Sequence, residues 1–268
     1  MNKKIPAIIH YCWYGNNAKS EDIQKCMGTW EKLAGYSVME WNDTNCDFEV
    51  NEFVKEAYRK KKWAFISDYF RLMKLYEYGG IYMDTDVKVF KSFDALLDQD
   101  MFMGFIYDCS IGTSVIGAKP KHPFIKAVLD EYENLVLKED NTFGFKDGRE
   151  CDIIMANNND LVTFLMRKHY PQLKLNNKHQ DLGDITIYPK EYFETGSMLF
   201  TYYSLHACEG SWVEKAGQNE AGMKKKIKRI ICTLPIVHGE SIMKHMIYRK
   251  QLPELPFYKQ YLEEKKKG

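Results

Sequence analysis

Apolar residues fall along this chain in two rhythms. Short unbroken runs bounded by glycine or charge alternate with longer stretches in which apolar side chains recur every three or four positions. The first pattern predicts buried strands and the second amphipathic helices. Ile5 to Trp13 is a run of the first kind, preceded by two lysines and closed near Gly15. Ser20 to Ala34 reads as a helix with Ser20 as N-cap and Ile23, Met27, Trp30 and Leu33 on one face. Tyr36 to Trp41 then predicts a second strand, and Val50 to Lys60 a second helix. A strand, helix, strand opening favours an α/β protein with a mainly parallel sheet.

Trp63 to Tyr78 carries Phe65, Tyr69, Leu72, Leu75 and Tyr76 at helical spacing and stops at Gly79-Gly80. Ile81 to Phe90 reads as a strand interrupted by two aspartates. Strand-like runs follow at Met101 to Ile106 and Ser114 to Ala118, helices near Phe124 to Leu137 and Asp152 to Lys168, and short strands at Ile185 to Tyr188 and Tyr202 to Cys208. No internal repeat or low-complexity segment interrupts this order.

Length and composition narrow the class. At 268 residues, with 45% hydrophobic and 14% aromatic residues, the chain has material for one large packed core. The formal net charge is +1, unevenly spread: residues 215–268 hold 13 Lys/Arg against 5 Asp/Glu. The preceding body is therefore acidic, which argues against a dedicated nucleic-acid binder. The seven cysteines are scattered without CxxC spacing, so neither a disulfide scaffold nor a zinc ribbon is expected. The opening apolar run is too short for a signal peptide, and no stretch reaches the roughly 18 apolar residues of a membrane span. The expectation is a cytoplasmic protein.

The informative stretch runs from Ser67-Asp68 and Arg71 to Gly79-Gly80-Ile81-Tyr82-Met83-Asp84-Thr85-Asp86. On a regular strand Asp84 and Asp86 share a face, whereas a bend there lets both carboxylates converge on one point. Converging carboxylates repel unless a cation lies between them, and oxygen ligands suit Mg²⁺ or Mn²⁺ bridging to phosphate. A bare Asp-x-Asp is commonly a solvated turn; an apolar strand leading straight into the pair is the feature that favours a metal-phosphate site. Asp68 and Arg71, three apart on one helix, form either an exposed ion pair or a buried one beside that metal.

Taken together, Ile5 to Gly15, Lys62 to Asp68 with Arg71, and Gly79 to Asp86 resemble the bacterial sugar transferases containing a DXD motif. This is the capsular polysaccharide synthesis group of glycosyltransferase family 32, related to yeast Och1-type mannosyltransferases and more distantly to clostridial glucosylating toxins. The resemblance extends to Tyr202, Ser204-Leu205-His206 and Ser211-Trp212. It covers about residues 5–212 and implies a GT-A fold over residues 1–213; the charge pattern of residues 214–268 predicts a helical basic extension after it. It also implies a divalent metal, retention of anomeric configuration, a nucleotide-sugar donor and a saccharide or lipid-linked glycan acceptor; UDP-galactose or UDP-glucose is the favoured donor, with GDP-mannose the alternative. By the same resemblance, Trp13 would stack on the base, and Ser67, Asp68 and Arg71 would line ribose and sugar beside Gly80. Asp84, Asp86 and His206 would hold Mn²⁺ or Mg²⁺, and Ser211 and Trp212 would close over the diphosphate. Asp68 and Arg71 are the expected catalytic pair, stabilising and orienting the sugar.

Two positions depart from the family pattern: Thr113 stands where many relatives have Asn, and Asn157-Asn158-Asn159 replaces a Gly-Pro. A rival enzyme class, the haloacid-dehalogenase phosphohydrolases, also has an apolar strand ending in DxD, but wants Thr or Val two positions later, where this chain has Lys88. A non-catalytic carbohydrate or membrane-docking module is the third class, and it predicts a broken site. Finally, Met223 to Ile231 sets five cations among apolar residues. That pattern suits peripheral docking on an anionic inner membrane face, or packing of the apolar side on the catalytic body.

Overall fold

The computed structural model describes residues 3–148, 153–197, 202–207 and 239–267. Its centre is a seven-stranded sheet. In chain order the strands are β1 (Ile8–Cys12), β2 (Ser37–Trp41), β3 (Gly80–Met83), β5 (Met101–Tyr107), β6 (Ser110–Ala118), β9 (Gln180–Asp181) and β10 (Thr186–Tyr188); across the sheet they run β2-β1-β3-β6-β5-β10-β9. β1 pairs parallel with β2 and β3, and β10 parallel with β5, while β6 and β9 run against their neighbours. Five strands thus point one way, the mainly parallel α/β arrangement expected of a GT-A fold.

The continuous apolar runs arise because both faces of the sheet are covered. Along β3, Ile81 and Met83 enter a core with Ile9, Phe93, Phe102 and Phe193, whereas Tyr82 enters the larger core on the opposite face. Helices α2 (Glu52–Arg59), α3 (Trp63–Tyr78), α4 (Pro123–Tyr132) and α5 (Asn158–His169) supply residues to that larger core. Side-chain caps start the helices where their residue types allow: Ser20 accepts from the Ile23 N–H at the head of α1 (Glu21–Gly28), Asn51 from Val54 for α2, and Asn157 from Asp160 for α5. Gly79 ends α3 at φ +66°, where a Cβ would lie 2.5 Å from Pro120 Cδ; at Gly80, φ +107°, it would lie 2.6 Å from the Ile8 carbonyl. The glycine pair therefore permits both the reversal and the close seating of β3 against β1.

Several expected elements are cut differently. The helix expected over residues 20–34 ends at Gly28 and continues only as a 3₁₀ turn, Thr29–Lys32. The strand expected over 81–90 is two strands: after a turn at Asp84 to Asp86, β4 (Val87–Val89) leaves the main sheet and pairs antiparallel with β11 (Ser204–His206). The helix expected to reach Leu137 stops at Tyr132, and Leu135–Leu137 forms β7, paired with β8 (Phe143–Phe145), which the apolar pattern did not suggest. The helix expected from Asp152 starts at Asn158, where the Asn157 cap fixes it.

The C-terminal segment comprises α7 (Gly239–Gln251) and α8 (Tyr258–Lys267). It packs on the body: Phe257 and Tyr261 enter the larger core, Arg167 pairs with Glu264 at 2.6 Å, and the Tyr107 hydroxyl donates to Gln251 at 3.0 Å. Ser211, Trp212 and the basic stretch 223–231 lie outside the described residues. Among the described residues, no helix is long and apolar enough to cross a membrane.

Candidate active site

The site forms where β3 runs out. Its last residue, Met83, still pairs with Val115, and the Asp84 N–H still donates to the Ser114 carbonyl. The Val87 N–H then bonds back to the Asp84 carbonyl, closing a turn over Asp84-Thr85-Asp86. That turn, and not strand alternation, brings the two carboxylates together. The short β4–β11 ladder aligns Val87 with His206, and the Ala207 N–H donates to the Asp86 carbonyl, which sets the imidazole beside Asp86. His206 Nε2 lies 3.2 Å from Asp86 Oδ1, and Asp84, Asp86 and His206 each offer one ligand atom within 4.8 Å of the others. Two carboxylate oxygens and an imidazole nitrogen form a donor set that fits Mn²⁺, and also Mg²⁺ with water completing its shell.

Asp84 is shared with a second cluster. Its Oδ1 accepts from the Tyr82 hydroxyl at 2.8 Å and lies 3.4 Å from Arg71 Nη2, whose nearer partner is Asp68 at 2.9 Å. Arg71 Nη1 donates to the Thr113 carbonyl at 2.8 Å, and the guanidinium lies over the Tyr82 ring, 4.6 Å from its centroid. Asp68 and Arg71 are thus a buried pair and not an exposed one. Burial pushes the Asp68 carboxyl up to about 6, against the pull of Arg71 and with a further push from Asp84. Burial also raises Asp84, opposed by Arg71 and His206 and reinforced by Asp86; a bound divalent cation reverses that sign. For Arg71, burial acts to lower its pKa, but Asp84, Tyr82 and Asp68 more than offset it and keep the cation firmly charged.

The remaining expected residues spread around this centre. Ser67 is half-buried on α3 and its carbonyl accepts from Arg71 Nε at 3.3 Å. Gly80 opens β3. Trp13 lies just past the end of β1, half-buried, with Nε1 donating to the Asn17 carbonyl and Lys19 over its ring. The two positions expected to differ from the resembled pattern meet: Asn159 Oδ1 accepts from both the N–H and the hydroxyl of Thr113, whose carbonyl holds Arg71.

The sequence pattern did not single out Glu194, which follows the short helix α6 (Lys190–Phe193). Its buried carboxylate accepts from His206 Nδ1 at 2.9 Å and from the Ser114 hydroxyl. Burial acts to raise its pKa, but His206, Lys244 and Ser114 bring it below the usual carboxylate value. The one trace in the sequence is an acid directly after Tyr192-Phe193, which no periodicity connects to His206.

The sequence that carries Asp84 and Asp86 matches a known family pattern. Residues 19–103 match the family described as glycosyltransferase sugar-binding region containing DXD motif. The matched region holds Ser67, Asp68, Arg71, Gly80, Asp84 and Asp86, while His206 and Glu194 lie beyond it. The chain is 28% identical over 135 residues to inositol phosphoceramide mannosyltransferase 1 of Schizosaccharomyces pombe, covering 46% of this chain and 41% of that protein. It is 29% identical over 132 residues to mannosyl phosphorylinositol ceramide synthase CSH1 of Saccharomyces cerevisiae, covering 47% and 34%. The chain thus spans about two fifths or less of the length of these relatives. Among solved structures it is similar to PaToxG glycosyltransferase, with a TM-score of 0.47 and 21% identity over 62% of this chain and 70% of that one.

Proposed function

We propose that the chain is a metal-dependent, retaining glycosyltransferase that moves a hexose from a nucleotide sugar to a saccharide or lipid-linked glycan acceptor, in the manner of bacterial surface polysaccharide synthesis. The observation that carries this reading is that Asp84 and Asp86, inside the region matching the sugar-binding DXD family, converge within 4.8 Å with His206, which comes from beyond that region. Asp84, Asp86 and His206 Nε2 would hold Mn²⁺ or Mg²⁺, whose charge, when bound, offsets that developing on the departing diphosphate.

The chain's own groups do the rest. Arg71 is fixed by Asp68, Asp84 and the Thr113 carbonyl, so its planar fork keeps one orientation toward the sugar. Asp68, when ionised, is the anion nearest to this fork and faces positive charge growing on the anomeric carbon. Trp13 offers its ring to the base, and Ser67 and Gly80 border the donor. The anomeric carbon–phosphate oxygen bond breaks, the acceptor oxygen bonds to that carbon from the same face, and the acceptor proton passes to the leaving phosphate oxygen. Asp84 is tied to Tyr82 and Arg71, which suits a ligand held still better than the phosphohydrolase nucleophile of the rival class.

UDP-glucose and UDP-galactose are the favoured donors, and the mannosyl transfer named in the yeast relatives brings GDP-mannose beside them. The test is a panel of these three sugars, read by Mn²⁺-dependent thermal stabilisation and by nucleotide release. One donor should give both; no response to any of them with Mn²⁺ present would remove the reading and favour a non-catalytic module. The location proposed is cytoplasmic, with residues 223–231 docking on the anionic inner face. Sedimentation with anionic vesicles should need those cations and weaken with salt, and equal recovery with neutral vesicles would remove the docking.

A further inference from the structure

The residues around His206 come from three distant parts of the chain and point to a role for its C-terminal segment. Glu194 is 2% exposed, and one imidazole nitrogen of His206 is directed at it while the other is directed at Asp86. A carboxylate in that position holds the proton on Nδ1 and leaves the Nε2 lone pair facing the two aspartates, the arrangement in which a histidine serves as a metal ligand. A buried carboxylate needs more than one partner to remain ionised. The Ser114 hydroxyl donates to Glu194, and Lys244 on α7 supplies a cation 3.8 Å away. Lys244 is itself buried, and its ammonium donates to the backbone carbonyls of Glu194, at 2.8 Å, and of His206. One side chain thus bridges the backbones of the ligand and of the residue that orients it.

We propose that Glu194, locked by Lys244, is the positioning residue that presents His206 Nε2 to a divalent cation, so that the C-terminal segment completes the metal centre. This rests on the reading of Asp84, Asp86 and His206 as a cation site. A buried ion pair serving only to fasten α7 would leave metal affinity untouched at temperatures where the variants are folded, and the two roles separate on that point.

The experiment titrates the metal-free full-length protein with Mn²⁺ alone, following free Mn²⁺ by electron paramagnetic resonance, with melting in EDTA recorded separately. Pulsed measurement of the bound ion reads the ¹⁴N coupling of an imidazole ligand. Asp86→Asn and His206→Ala are the reference variants. Glu194→Gln keeps the shape and removes the charge; it should raise the Mn²⁺ dissociation constant about 10- to 100-fold and diminish the ¹⁴N coupling. Lys244→Met should weaken Mn²⁺ by a smaller factor, and adding it to Glu194→Gln should cost little further affinity, because both act through one group. If Asp86→Asn and His206→Ala weaken Mn²⁺ but folded Glu194→Gln binds it as the parent does, the positioning role is wrong while the cation site stands. If Asp86→Asn has no effect, the cation site itself is wrong. Should Glu194→Gln not fold, Lys244→Met and Ser114→Ala decide, since parent-like affinity and ¹⁴N coupling in both would overturn the proposal.

Discussion

Two charged clusters meet at Asp84, and they are built in opposite ways. Asp68 and Arg71 stand on successive turns of one helix, 2.9 Å apart, and their geometry is largely that of α3 itself. Asp86, His206 and Glu194 come from a turn after β3, from β11 and from the end of α6, with Lys244 added from α7. The first cluster inherits its order from local backbone hydrogen bonds; the second exists only when remote segments have docked. Substitutions in the first should therefore change the chemistry directly, while the second is also exposed to changes far from it in sequence. The first is also more closed: Arg71 has protein partners at Asp68, Asp84, Thr113 and Ser67, whereas the second cluster gathers carboxylate and imidazole ligand atoms around one point.

The largest effect should fall on the second cluster. Asp86→Ala is expected to lower transfer at least about 10³-fold, or roughly 4 kcal/mol of transition-state stabilisation, with the melting temperature little changed. Turnover in the presence of EDTA should fall as far, and full turnover under either condition would break the metal assignment. In the first cluster, Arg71→Lys should cost about 10²-fold in kcat/KM, because a point charge cannot serve Asp68, Asp84 and the Thr113 carbonyl as a planar fork does. Near-normal kinetics in that variant would reduce the pair to a structural tie.

A smaller effect depends on pH. With its carboxyl raised to about 6, Asp68 is protonated in the folded protein at a pH where the unfolded chain has lost the proton. Between roughly pH 4 and 6 the native state therefore binds more protons at this site, and its contribution makes stability fall as pH rises through that window. Transfer should show the opposite trend: kcat/KM is expected to rise with pH, by up to about tenfold per unit, until Asp68 is ionised and to flatten above that point, which a cation beside Asp84 moves below 6. A pH profile of Asp68→Asn should lack that limb, and an unchanged limb would assign it to another group. The smallest expected change is at Trp13, half-buried beyond the end of β1 and outside both clusters. Trp13→Ala should raise the donor KM about fivefold, near 1 kcal/mol of stacking, with kcat preserved. If kcat falls instead, Trp13 supports the fold and not the base.

Much of the first cluster was legible in the sequence. The three-residue spacing of Asp68 and Arg71, the apolar face of α3, the glycine pair that stops it and the apolar strand entering Asp84 are short-range features, and helical and strand periodicity convert them directly into geometry. Burial of the pair was not legible: whether an i, i+3 ion pair faces solvent or core depends on what covers it, here Thr113 on β6 and the head of α5. The expected strand over 81–90 failed for a related reason. Its composition is strand-like on both sides of the two aspartates, and the availability of β11 as a partner draws Val87–Val89 into a separate sheet.

The order of apolar runs and periodic stretches by itself determined an α/β protein with its acidic motif at a strand end, because burial on both sheet faces and on one helix face leaves a direct imprint on residue order. The residue types of the motif likewise determined that a cation-dependent phosphate chemistry was the reading to test. Tertiary structure alone decided that Asp84 and Asp86 converge through a turn, that Thr113 meets Asn159, and that Glu194 and Lys244 stand behind His206. Those contacts join positions up to 50 residues apart, from Glu194 to Lys244. No local periodicity encodes such a pairing; it arises when β4 and β11 pair and Lys244 of α7 reaches the Glu194 and His206 carbonyls, and each buried charge finds the partner that lets it remain there.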